Sequence, residues 1–149
     1  MTLAVTEDEL RQLLVAHPFI KQYGFRLHSI AEGVCTLDVP FQEIFERPGG
    51  IVSGPVLMAA ADVTMWLAIM TRIGDEAEMT LTVEMKTAFL AAAKREDLRC
   101  TATILKLGKR LVYGVAECVT SRGVPVTHHS MTYIRPDIGQ RTTDPRAEI

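Results

Sequence analysis

The chain has 149 residues, 48% hydrophobic and 23% charged, which fits one soluble globular domain with its own core and excludes a disordered chain. Its formal net charge is -2 with no dense basic block, so nucleic acid is not an expected partner, because phosphate binding needs a Lys/Arg footprint. Three widely spaced cysteines, Cys35, Cys100 and Cys118, suggest neither a disulfide framework nor a zinc site.

The N-terminal "MTLAVTEDELRQ" lacks a basic segment followed by an apolar one, so no signal peptide is read there and a cytoplasmic setting is expected. Thr6 and Glu9, three positions apart, form a capping-box signature. Leu10, Leu13 and Leu14 follow at helical spacing, and His17-Pro18 ends a short amphipathic helix. "GFRLHSIAEGVCTLDVPF" reads as two strands around the turn Ala31-Glu32-Gly33. Residues 42–52, with "ERPGG", read as an irregular loop.

A second helix then has a clear start. Ser53 suits an N-cap, and Pro55 suits the first turn, where its missing N–H has no intrahelical partner. The helix is expected to run to about Arg72, with Gly74 as its stop. From Val56 to Met70 only Asp62 and Thr64 interrupt an apolar run. The length approaches that of a membrane span, but Ser53, Gly54, Pro55 and a central Asp argue against one. A helix apolar on all sides must be covered on all sides.

Beyond Gly74 the period changes to two. Leu81, Val83 and Met85 alternate with Thr82, Glu84 and Lys86 as a half-buried strand. "DLRCTATILKL", "LVYGVAECVT" and "VPVTHHSMTYI" are three more strands, separated by the turns "GKR" and "SRG". The cysteines fall in such strands and read as small buried hydrophobes. The domain is expected to span residues 1–137, with 138–149 a disordered tail. The order of elements predicts an α+β fold in which a curved antiparallel sheet wraps one long central helix. A second copy of the chain would cover what the sheet leaves open.

Asp62 is the residue that most needs explaining. A buried carboxylate is costly unless paired, and Asp has poor propensity in mid-helix. Structural hydrogen bonding is one reading; a place at a cavity is the favoured one. Gly54 is either a flexible residue before Pro55 or a donor, because its N–H in the first turn lacks an intrahelical partner. Gly54 and Asp62 are eight residues apart, about 12 Å along one helix. They cannot both touch one carbonyl group, so a site using both must draw them from two protomers. His128 and His129 are adjacent in a strand and point to opposite faces, so they form no metal pair. No G-x-S-x-G elbow, Walker loop or H-E-x-x-H occurs.

The frame "SGPVLMAAAD" is similar to the opening of the central helix in one family. There a His-Gly-Gly is followed by an acidic residue nine positions after the His. Ser53 stands at the His position, Gly54 and Pro55 at the two glycines, and Asp62 at the acidic position. "LTVEMKTAFL" resembles that family's third strand, and the segment from Ala91 to Ile134 resembles its last three. Over roughly residues 17–135 the chain therefore resembles the hotdog-fold acyl-CoA thioesterases, in particular the phenylacetate-pathway (PaaI-like) branch.

The resemblance implies hydrolysis of acyl-CoA, with Asp62 as general base or nucleophile and the Gly54 N–H facing the oxyanion; because Pro55 has no N–H, Val56 is the other candidate donor. It places Thr82 where some relatives hold the attacking water, and Arg47 where relatives carry an Asn near the thioester. Ser53 is read chiefly as an N-cap at the substrate-binding turn. Lys109 and Arg110, with Lys106, Lys94 and Arg95, form the patch expected to meet CoA phosphates. No metal or organic cofactor is required, and the assembly is a homodimer or a dimer of dimers. The alternative from another class is a non-catalytic acyl-CoA or small-ligand binding module, favoured by the altered Ser53-Gly54-Pro55. Met58, Met65, Met70, Trp66 and Phe89 stand at spacings that suit core or an acyl pocket.

Overall fold

The computed structural model describes residues 2–136, so the expectation for the tail 138–149 lies outside the described residues. Helix α1 (Glu7–Ala16) begins with the expected capping box: the Glu9 N–H donates to the Thr6 hydroxyl, and the Thr6 N–H to the Glu9 carboxylate. A short helix that the periodicity did not suggest, α2 (Pro18–Lys21), follows at once, with Pro18 in its first turn. Strands β1 (Arg26–Ala31) and β2 (Val34–Val39) form the expected hairpin. Residues 42–52 are more ordered than an irregular loop. A 3-10 turn at Glu43–Phe45 leads into a small hairpin of β3 (Glu46–Arg47) and β4 (Ile51–Val52), closed by left-handed Gly49 and Gly50.

The central helix α3 spans Gly54–Ile73 and ends at Gly74, whose φ of 61° suits a residue without Cβ. A 3-10 segment (Gly74–Met79) leads to β5 (Leu81–Phe89), β6 (Leu98–Leu107), β7 (Leu111–Thr120) and β8 (Pro125–Ile134). The six long strands form one antiparallel sheet in the order β1-β2-β6-β7-β8-β5.

One face of this sheet lies on α3. Leu37, Cys100, Ala102, Val112, Ala116 and Met131 from the sheet and Ala61, Met65, Ala68 and Ile69 from the helix are all almost fully buried. By length and composition α3 would pass for a membrane span, but the chain's own sheet and the segment that follows the helix cover most of it. All three cysteines are buried, as expected, and burial pushes the Cys35 thiol up to about 12. Helix and sheet approach each other closely at Gly114. An added Cβ there would lie 2.6 Å from the Thr103 carbonyl oxygen and against the end of Met65.

Strand β5 departs from simple alternation. Thr82 pairs with Tyr133, but the next pair is Glu84 with Thr132, so Val83 is an extra, bulged residue. The bulge puts Thr82 on the same face as Met85, toward the helix, where strict alternation puts it with Glu84. Strand β5 is also less covered than expected. It lies at the sheet's edge, and Leu81 and Val83 are 43% and 53% exposed.

Candidate active site

Helix α3 is not covered all round. Between Pro55 and Trp66 the residues that keep exposure are Pro55, Met58, Ala59, Asp62 and Trp66, spaced as one stripe along the helix. Asp62 is the charged member of that stripe. Its Oδ1 accepts a hydrogen bond from the Thr82 hydroxyl at 2.7 Å and another from the Tyr133 hydroxyl at 2.5 Å. The Tyr133 hydroxyl also lies 3.1 Å from the Asp62 carbonyl oxygen. The costly mid-helix carboxylate is thus compensated by two hydroxyls from neighbouring strands, one of them placed by the β5 bulge. Burial, then the negative charge of Asp62, push the Tyr133 phenol far above its usual range, so it remains a donor.

A cleft of about 240 Å³ opens at Asp62. Phe19 and Ile20 from α2, Val63 and Trp66 from α3, and Leu81 from β5 give it apolar walls. Glu78, Thr80, Thr82 and Tyr133 add polar atoms. The Trp66 ring is pinned by its Nε1 to the Ala77 carbonyl at 2.7 Å. Phe19 is 66% exposed and stands edge-on to Tyr23, which stacks on Phe25. A larger groove, about 560 Å³, lies around Arg26, Asp38 and Arg99 on the other face of the sheet. Its Asp38 is already paired with Arg99 at 2.9 Å and His28 at 3.5 Å.

Four of the remaining expected residues, Ser53, Gly54, Val56 and Arg47, gather at the N-terminal end of α3. Ser53 occupies the N-cap position, but its side chain makes no capping bond; its N–H donates to the Phe45 carbonyl. The Gly54 N–H has no partner among the described residues. A Cβ on Gly54 would lie 3.0 Å from the ring of Phe89, so that ring flanks the helix start. Val56 is corrected: it is buried and its N–H is taken by the Ser53 carbonyl at 3.1 Å, which removes it as a second donor. Arg47 is exposed on β3, beside this end of the helix and away from Asp62.

The cationic patch is split, which corrects its reading as one surface. Lys94 bridges to Ile51, and Arg95 pairs with Glu46 at 3.0 Å, both near the helix start. Lys109 and Arg110 lie in the β6–β7 turn. There the Arg110 carbonyl accepts the Arg135 N–H, and Arg135 reaches Glu76 beyond the far end of α3. The histidines do face opposite ways. His128 is exposed, whereas His129 is buried with a threonine hydroxyl on each ring nitrogen, Thr87 and Thr127, both at 2.8 Å.

The sequence reading did not single out Tyr133. A strand tyrosine in phase with His129 and Met131 is a core residue whose hydroxyl must find a partner, and that was the available signal. Phe19 gave none, because α2 itself was not read.

An antiparallel sheet on one long central helix defines the hotdog fold. Residues 49–123 match the thioesterase superfamily, and the chain belongs to that family. It is similar to a Sulfurisphaera tokodaii protein named "Putative esterase", 30% identical over 110 residues, which cover 73% of this chain and 80% of the other. The solved structure of a "putative thioesterase" from Silicibacter sp. TM1040 is 32% identical, with a TM-score of 0.80 over 92% of this chain and 96% of that one. Zebrafish thioesterase superfamily member 2, at 22% identity, shares the fold, with a TM-score of 0.78 over 91% of this chain and 99% of its own. Family and relatives put this chain among hydrolases of thioesters or esters.

Proposed function

We propose that the protein is an acyl-CoA thioesterase of the phenylacetate-pathway type, working as a homodimer with Asp62 of one copy and Gly54 of the other at each site. The observation that carries this reading is the Asp62 carboxylate, held by Thr82 and Tyr133 at the wall of an apolar cleft. In the reaction water attacks the thioester carbonyl carbon while Asp62 takes its proton. The tetrahedral oxyanion faces the unpartnered Gly54 N–H at the helix start. Collapse expels CoA thiolate, which recovers the proton from Asp62, leaving free acid and CoA. With Asp62 as nucleophile, its carboxylate forms a mixed anhydride that water then cleaves. The products are the same.

Two copies are supported by the shape of β5. Thr82 lies at Asp62 and Phe89 at Gly54, so the strand runs from one half-site to the other. Antiparallel pairing of β5 with its copy, centred on Met85, sets Leu81 of one copy opposite Phe89 of the other, with Thr82 one position along, opposite Ala88. The half-sites then meet. In that register Glu84 opposes Lys86 twice, and the exposed Leu81 and Val83 edge is covered.

A binding module without catalysis remains a second reading because Pro55 has no N–H and Ser53 offers no capping bond. One assay separates them: thiol release from short, medium, long and aromatic acyl-CoAs, wild type against Asp62→Asn. The enzyme reading expects clear hydrolysis and a loss of at least about a hundredfold in the variant. Binding of acyl-CoA with no thiol release from the folded wild type would replace it with the module.

A further inference from the structure

We infer that Tyr133 is a positioning residue of this site, which together with Thr82 engages Oδ1 of Asp62 and leaves Oδ2 as the oxygen that acts on the substrate or its water. The inference rests on the proposed role of Asp62 and deepens it, since it assigns the chemistry to one of two carboxylate oxygens.

The two donors come from adjacent strands. Thr82 on β5 and Tyr133 on β8 are direct cross-strand partners on the face turned to α3. Both hydroxyls end on Oδ1, at 2.7 and 2.5 Å. A carboxylate oxygen has two in-plane lone pairs. With both engaged, Oδ1 is a poor base and a poor nucleophile. Oδ2 accepts nothing from the described residues and keeps its lone pairs available. The Tyr133 hydroxyl also lies 3.1 Å from the Asp62 main-chain carbonyl, but its single proton goes to Oδ1, the shorter contact, and with Thr82 on the same oxygen the observed rotamer keeps Oδ2 turned away from both hydroxyls. Tyr133 is only 2% exposed and is anchored by β8, whereas Thr82 sits on the open edge strand. Of the two donors, Tyr133 is therefore the one whose place is set by the core.

Tyr133→Phe keeps the ring and removes only the donated proton. For a purely structural tyrosine the variant loses some stability and keeps its turnover. For a positioning residue kcat falls about ten- to a hundredfold, the range for a hydrogen bond to a charged group, while KM and the affinity for a non-hydrolysable thioether analogue of the substrate stay within about twofold. Thr82→Val is expected to act in the same direction, and Thr82→Ser, which keeps the hydroxyl, to restore turnover.

The experiment measures kcat, KM, analogue affinity and Tm on the full chain, using the acyl-CoA it hydrolyses fastest, with Asp62→Asn alongside. Loss in Asp62→Asn together with a kcat-only loss in Tyr133→Phe establishes the positioning role. Loss in Asp62→Asn with unchanged kcat in Tyr133→Phe overturns this inference and leaves the role of Asp62 standing. Full activity in Asp62→Asn overturns both. Should Tyr133→Phe fail to fold, the Thr82 pair decides: unchanged kcat in Thr82→Val overturns the shared hold on Oδ1, and a loss rescued by Thr82→Ser supports it.

Discussion

Asp62 and Gly54 divide the proposed chemistry between them, and their surroundings explain how each is kept available. Asp62 stays on an apolar helix because two hydroxyls satisfy one of its oxygens. Gly54 offers a bare N–H because it stands in the first turn of α3, where an N–H has no intrahelical acceptor, and no side chain caps it. That N–H is testable in isolation. Ser53 has φ -67° and ψ 145°, the extended conformation required before proline, so Gly54→Pro deletes the donor, although the new Cβ lies 3.0 Å from the Phe89 ring, which must shift. It is expected to lower kcat by about two to three orders of magnitude, as loss of an oxyanion donor does, with Tm lowered only by the crowding of Phe89, about 1–3 kcal/mol of overpacking. Steady-state kinetics and a melting curve check both halves of this expectation.

Among the elements, helix α3 and the strands beneath it are held at a distance set by small residues. Gly114 on β7 faces Met65 and the Thr103 carbonyl so closely that a methyl group cannot be housed without moving backbone. Gly114→Ala is expected to destabilise the fold by about 1–3 kcal/mol, the cost of overpacking, seen as a lower urea midpoint at unchanged m. The bulge at Val83 is a second such device. It adds one residue to β5 against β8 and so rotates Thr82 inward to Asp62 without disturbing Met85 and Thr87 further along.

For the assembled protein, the open edge of β5 is where association is expected, and its charges provide a test. Centred on Met85, two antiparallel copies set Glu84 against Lys86. Lys86→Glu therefore places like charges opposite each other twice and should shift sedimentation toward monomer, with thioesterase activity falling in parallel. The charge-swapped pair Glu84→Lys with Lys86→Glu restores opposite charges and should recover both. A dimer unaffected by Lys86→Glu would place the contact elsewhere. Activity that persists in a proven monomer would mean that Asp62 and Gly54 need not come from two chains.

Much of this was legible along the chain, because local rules act through neighbours in sequence. The Thr6–Glu9 cap, the Pro55 start and Gly74 end of α3, and the alternation of β6, β7 and β8 each follow from backbone valence and side-chain period. The oddity of Asp62 could likewise be read from its apolar surroundings alone. The partners of Asp62 could not. Tyr133 is 71 positions away, and it meets the carboxylate because β8 lies beside β5 in the sheet, an order that depends on how the strands return rather than on their composition. Thr82 was assigned to the outer side by strict alternation and reached the inner side through one bulged residue. The cations read as one patch were separated because the turns that carry them lie at opposite ends of α3. Residue type and spacing thus decided which group would need compensation, and strand order, register and the bulge decided which groups would supply it.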